Sequence, residues 1–133
     1  MTEQAVIDAT RHWVQSVVID LNLCPFARRE FDSGRVHFTV SDATTEGQLL
    51  DALKAELDRL DAQPGIETTL LIHPYVLQDF FDFNEFLGYA EHLLVQLGLE
   101  GIYQIASFHP DYRFADTSDE DAGNYTNRSP YPV

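Results

Sequence analysis

Basic residues are the scarcest feature of this chain. Eight Lys and Arg stand against 22 Asp and Glu in 133 residues, a formal net charge of -14. Nucleic-acid affinity rests mainly on cationic side chains displacing phosphate counterions, so this balance excludes a nucleic-acid partner. It disfavours an anionic membrane surface for the same reason. There is one cysteine, Cys24, so no internal disulfide framework exists, and a reducing cytoplasm is the expected compartment. Apolar runs approaching the ~18 residues of a membrane span are missing, and so is a charged-then-apolar leader at the N-terminus. No 20–50-residue repeat, low-complexity tract or Gly-rich phosphate loop occurs. The length and the 44% apolar content describe one domain with its own core.

What remains reads as helix, strand, helix, strand, helix, strand. Ala5, Ala9, Trp13, Val17 and Leu21, with Val6, Val14 and Val18 beside them, predict a helix over 3–23 that stops at Cys24-Pro25. Val36, Phe38 and Val40 alternate in a first strand over 35–40. Thr45 and Gln48 form a capping box for a second helix with Leu49, Leu50, Leu53, Leu57 and Leu60 on its apolar stripe. The run 68–73, apolar on both faces, is a second strand. Asp82 and Glu85 suggest a cap for a third helix carrying Phe86, Leu87, Ala90, Leu93 and Leu94, which Gly98 ends. Residues 102–108 read as a third strand. One-for-one alternation predicts an α/β domain spanning 1–133, two- or three-layered, with a mainly parallel sheet of about three strands and crossover helices.

Chemistry gathers beyond the third strand, in a polar loop over 109–133. Two strands end alike, at His73-Pro74 and His109-Pro110. Ligands of open parallel sheets bind outside the carboxyl ends of strands, so His109 is a candidate general acid/base oriented by Asp111 or Asp116, and His73 a ligand-binding residue. The bland reading makes each imidazole a packed strand terminus. Four of the eight basic residues lie in non-helical polar segments: Arg28, Arg29, Arg113 and Arg128. Planar guanidinium forks match carboxylate or phosphate oxygens, so Arg28, Arg113 and Arg128, with Asn127, are candidate binders of a small anion; alternatively they pair with loop carboxylates. Cys24 is either a nucleophile activated by a histidine or a pocket wall. Tyr75, Phe80, Phe81, Phe83 and Phe86 are core or ligand wall, and His12, His37 and His92 are structural or solvent-facing.

No zinc spacing is present, and the segment 116–124 shares only composition with a calcium loop, so no metal ligand is assigned. No cofactor is identified. The expectation is an enzyme acting on a small anionic molecule by hydrolysis or group transfer. A metabolite-binding or protein-interaction module without catalysis is the alternative, and the oligomeric state stays open.

Leu-Cys24-Pro-Phe-Ala, His109-Pro-Asp-Tyr-Arg-Phe and Asn-Tyr-Thr-Asn-Arg128-Ser-Pro-Tyr-Pro resemble a bacterial family numbered 1415 among the domains of unknown function. The resemblance covers essentially the whole chain and implies a compact cytoplasmic protein. Proteins like this usually continue past Ser-Pro-Tyr-Pro into another helix, whereas this chain stops at Val133, which leaves open whether its C-terminus is truncated.

Overall fold

A computed structural model of the chain describes residues 2–19, 34–114, 117, 118, 124 and 127–133, with the backbone alone at 17–19. Helix α1 spans Glu3–Trp13, and its first turn is capped by Thr2, whose Oγ1 accepts the Ala5 N–H at 3.1 Å. The chain continues as a π-helical stretch, Val14–Ile19, so residues 3–19 of the predicted helix are helical and 20–23 lie outside the described residues. Val6, Thr10 and Trp13 are buried, a stripe shifted by one position from the Ala5–Ala9 line expected for this segment.

Strand β1 (Val36–Val40) and strand β2 (Thr68–Ile72) pair in parallel, with Val36 opposite Thr68 and Val40 opposite Ile72. Between them runs α2, Glu46–Ala62, the crossover that parallel strands require. Its start is the predicted box. Thr45 Oγ1 accepts the Gln48 N–H at 3.2 Å, and Gln48 Oε1 reaches back to the Thr44 N–H at 2.9 Å. Helix α3, Phe80–Gln96, is capped three residues before the expected Asp82, because the Asp79 carboxylate already accepts the N–H groups of Phe81 and Asp82. It ends where expected. Gly98 takes φ +70°, and the bonds Gly98 N–H to Val95 O and Leu99 N–H to Leu94 O close a Schellman cap.

Alternation in the two strands builds three layers. Val36, Phe38, Val40, Leu70 and Ile72 pack with Val6, Trp13 and Val14 on the α1 side. Leu71 packs with Leu49 of α2 and with Phe83, Phe86 and Ala90 of α3 on the other. Strands covered on both faces read as continuous apolar runs, and Leu70-Leu71-Ile72 is such a run.

Among the described residues the sheet has two strands where about three were expected. Residues 102–108 make no ladder with β2; the region holds only an isolated bridge between Glu100 and Tyr103. The physical reason lies at the C-terminus. Pro132 O accepts the His73 N–H at 3.0 Å, while Val133 exchanges both backbone bonds with Phe108, at 3.1 and 2.9 Å. Residues 132 and 133 therefore take the position beside β2, and Phe108 is held one strand further out.

The carboxylate of Glu56, on α2, is buried against the sheet at 3% exposure. Its Oε1 accepts Thr39 Oγ1 at 2.8 Å and Thr69 Oγ1 at 2.6 Å, and its Oε2 accepts Arg59 Nε at 3.3 Å. Burial opposes its charge, but the bonds from Thr69 and Thr39 and the Arg59 guanidinium outweigh burial and hold the carboxyl below its usual range. Glu56→Gln keeps an oxygen for both hydroxyls and should cost under about 1 kcal/mol. Glu56→Ala strands two hydroxyls and should cost about 2–3 kcal/mol, a difference that urea denaturation of the two variants measures.

Candidate functional site

The two His-Pro pairs converge beyond the carboxyl end of β2, although only His73 follows a strand of the sheet. His73, just beyond β2, is 4% exposed and His109 is 1% exposed. Both rings lie against Phe83, with centroids 5.7 Å from His73 and 5.0 Å from His109. Phe80 stands edge-on to His109 at 5.5 Å. The two imidazoles thus share one aromatic wall at the start of α3.

Their hydrogen bonds decide their states. A carbonyl only accepts, so each ring nitrogen facing one must carry the proton. His109 Nε2 donates to Leu77 O at 3.0 Å, and its Nδ1 accepts the Asp111 N–H at 3.0 Å. That is a neutral ring with both nitrogens engaged by backbone. The group that meets the imidazole is the main chain of Asp111 rather than its carboxylate. His73 Nδ1 donates to Val76 O at 3.2 Å. Burial, reinforced by the neighbouring His109, pushes its pKa down from 6.5 to about 4 against the opposing pull of the Val76 carbonyl, so it too is neutral at pH 7.

His109 acts as a clasp. Leu77 adopts φ +60°, a left-handed conformation that side chains other than glycine rarely take, and its carbonyl is the one His109 holds. The same ring holds the Asp111 N–H. The 76–79 loop and the 109–111 turn are thereby fixed to each other. From that turn Tyr112 packs on Phe80 at 5.2 Å and on Phe114 at 4.8 Å.

A cleft of ≈ 620 Å³ opens where the clasped segments meet, lined by Gln78, Asp79, Phe80 and Phe81 on one side and by Asp111, Arg113 and Arg128 on the other. Arg113 Nε donates to Thr117 O at 2.6 Å, and Arg128 Nε donates to Tyr112 O at 2.9 Å. Each guanidinium is oriented by a main-chain anchor at the edge of one cleft. Phe81 is 74% exposed at its rim, whereas Phe83 and Phe86 are core, so the aromatic cluster divides between the two readings it allowed.

Asn127 lies one step away from the cleft. Its Nδ2 donates to Ser107 O at 3.0 Å and its main-chain carbonyl accepts the His109 N–H at 3.0 Å, tying the C-terminal segment to residues 107–109. Cys24, Arg28 and Arg29 lie outside the described residues, as do Asp116 and Asp119. Among the described residues no group of three or more His, Cys, Asp or Glu is arranged to hold a metal ion. No helix there is long and apolar enough to cross a membrane.

Two residues of the region escaped sequence reasoning. Leu77 gave no signal, since its backbone conformation depends on the His109 clasp. Asn124, fully buried, accepts the Phe114 N–H at 2.8 Å and Thr117 Oγ1 at 3.1 Å on Oδ1, and donates to Ser118 O at 2.8 Å. Asparagine's habit of bonding nearby backbone in loops was the available clue.

No curated protein and no solved structure matches the chain. One family model does, over residues 5–133, nearly the whole length. The chain belongs to that family, described as Protein of unknown function (DUF1415).

Proposed function

We propose that this chain binds a small anionic molecule in the cleft between the start of α3 and the 111–128 segment. The observation that carries the reading is the convergence of Arg113 and Arg128 on one cleft in a chain with eight basic residues and a net charge of -14. Guanidinium groups held by Nε anchors are pre-oriented for the oxygens of a carboxylate or phosphate. Gln78 adds a polar group, and the exposed ring of Phe81 supplies an apolar wall for the body of the ligand. Arg28 and Cys24 are proposed as further contributors from the segment after α1, with Asn127 a supporting residue behind Arg128.

The non-catalytic reading is the one the imidazoles favour. A general acid/base must exchange a proton with substrate, and His109 spends both nitrogens on Leu77 and Asp111. It acts as a positioning residue. Acid–base chemistry at this cleft would fall to the Asp111 carboxylate, which lines it. A reducing cytoplasm is the proposed compartment, on the strength of the single cysteine.

Titration calorimetry with inorganic phosphate and with small carboxylates, in low salt, tests the clamp. A charged hydrogen bond is worth about 1.5–3 kcal/mol, so Arg113→Ala and Arg128→Ala should each weaken binding roughly 10-fold or more. The double variant should bind too weakly to detect while keeping the circular dichroism of the parent. Unchanged affinity in a folded double variant would sink the proposal.

A further inference from the structure

The arginine cleft holds charge of both signs. Besides Arg113 and Arg128 it is lined, among the described residues, by the carboxylates of Asp79 and Asp111. The two carboxylates stand differently. Asp79 is committed to α3: its Oδ1 accepts the Phe81 N–H at 2.8 Å and the Asp82 N–H at 3.1 Å. The partial positive charge of the helix N-terminus offsets its own. The Asp111 side chain has no such task. Its main-chain N–H is held by His109 Nδ1, but its carboxylate makes no hydrogen bond or ion pair among the described residues, although two guanidinium groups line the same cleft.

The main chain brings these groups together. Asp111 and Arg113 flank Tyr112, and the Tyr112 carbonyl is the anchor of Arg128, whose Nε donates to it at 2.9 Å. The backbone around Asp111 is fixed from both directions. Its own N–H is taken by the His109 ring, and the N–H of Tyr112 donates to His109 O at 3.1 Å. A carboxylate and two guanidinium groups are thus presented around one residue of a clasped turn.

Such an arrangement selects against a ligand that is only anionic. Oxygens drawn to Arg113 and Arg128 meet the Asp111 carboxylate beside them, and like charges in one cleft repel. A ligand that carries an ammonium group next to its own carboxylate turns that repulsion into a further charged hydrogen bond. In an α-amino acid the two groups sit on one carbon, close neighbours like the Asp111 and Arg113 that receive them. The cleft, at ≈ 620 Å³, is of small-molecule size. Phe81, 74% exposed at its rim, offers an apolar surface for a side chain.

We propose, on the footing of the arginine clamp above, that the ligand is a zwitterion: a free α-amino acid with an apolar side chain. Its carboxylate lies on Arg113 and Arg128, its ammonium group on Asp111 and its side chain on Phe81.

Titration calorimetry with L-phenylalanine, N-acetyl-L-phenylalanine and L-phenylalaninamide separates the two charged ends. The free amino acid should bind roughly 10-fold or more tighter than either blocked form, because each of those lacks one charged hydrogen bond. Asp111→Asn, which leaves the main-chain bond to His109 in place, should weaken L-phenylalanine by a similar factor. It should bind the N-acetyl form at least as tightly as the parent does, since a repelling charge is gone. An N-acetyl form that binds the parent as tightly as the free amino acid, and is lost in Arg113→Ala, would overturn the zwitterion and leave the arginine clamp standing. Unchanged affinity for L-phenylalanine in folded Asp111→Asn would also overturn it. If none of the three binds while inorganic phosphate does, the zwitterion alone fails; if phosphate fails to bind as well, the clamp fails with it.

Discussion

Replacing His109 with alanine is expected to destabilise the protein by about 4 kcal/mol, read as a lowered midpoint in urea denaturation at unchanged slope. Two buried backbone groups, Leu77 O and the Asp111 N–H, lose their partner together, and each unsatisfied group costs about 1–3 kcal/mol. Removing a ring packed against Phe80 and Phe83 adds a cavity. Leu77 would also lose the bond that offsets its left-handed backbone. His109→Asn, which keeps a side-chain amide but shortens the reach, should recover part of the loss. A cost below about 1 kcal/mol for His109→Ala would show that the clasp does not hold the loop. As a positioning residue, His109 should leave a second signature. The pH dependence of anion binding between pH 5 and 8 should be the same in His109→Asn as in the parent, whereas a proton-exchanging imidazole would change its shape.

The second large effect is acid sensitivity through His73. Its pKa in the folded protein is about 4 against an ordinary 6.5. Between those values the unfolded chain binds the proton and the folded chain does not, so stability rises with pH across that window. The contribution is complete above pH 6.5 and is lost as pH falls toward 4, amounting to about 3 kcal/mol at 1.36 kcal/mol per unit. Glu56, with its lowered pKa, loses its own contribution at lower pH, below the ordinary carboxyl value of 4.5. His73→Gln separates the two: the decline between pH 6.5 and 4 should flatten, and the one below pH 4.5 should remain. A parent protein equally stable at pH 7 and pH 4.5 would contradict the neutral, buried assignment of His73.

Much of the frame is legible in the residues themselves because it is set by short-range periodicity. Val36, Phe38 and Val40 do share a face, Thr45 and Gln48 do cap α2, and Gly98 does end α3. Leu70 and Ile72 pack on one face of β2 and Leu71 on the other, as the apolar end of the 68–72 run requires. The polar loop was also visible as the place where arginines and the second His-Pro pair gather, and Arg113 and Arg128 do meet at one cleft. Glu56 was not visible. On the helix it reads as one more acidic residue, and only the threonines of two strands give it partners.

Composition and periodicity alone determined an acidic, single-cysteine α/β chain with two His-Pro pairs, each closing an apolar run. They could do so because helical spacing, strand alternation, caps and turns act within a few residues. Tertiary structure decided what those residues do. It turned both nitrogens of His109 to backbone and bent Leu77 to meet them. It placed Pro132 and Val133 beside β2 where residues 102–108 were expected. Apart from the local bond between His109 and Asp111, these outcomes rest on hydrogen bonds between residues 25 to 59 positions apart, and the choice among such partners is made by packing that no local pattern encodes.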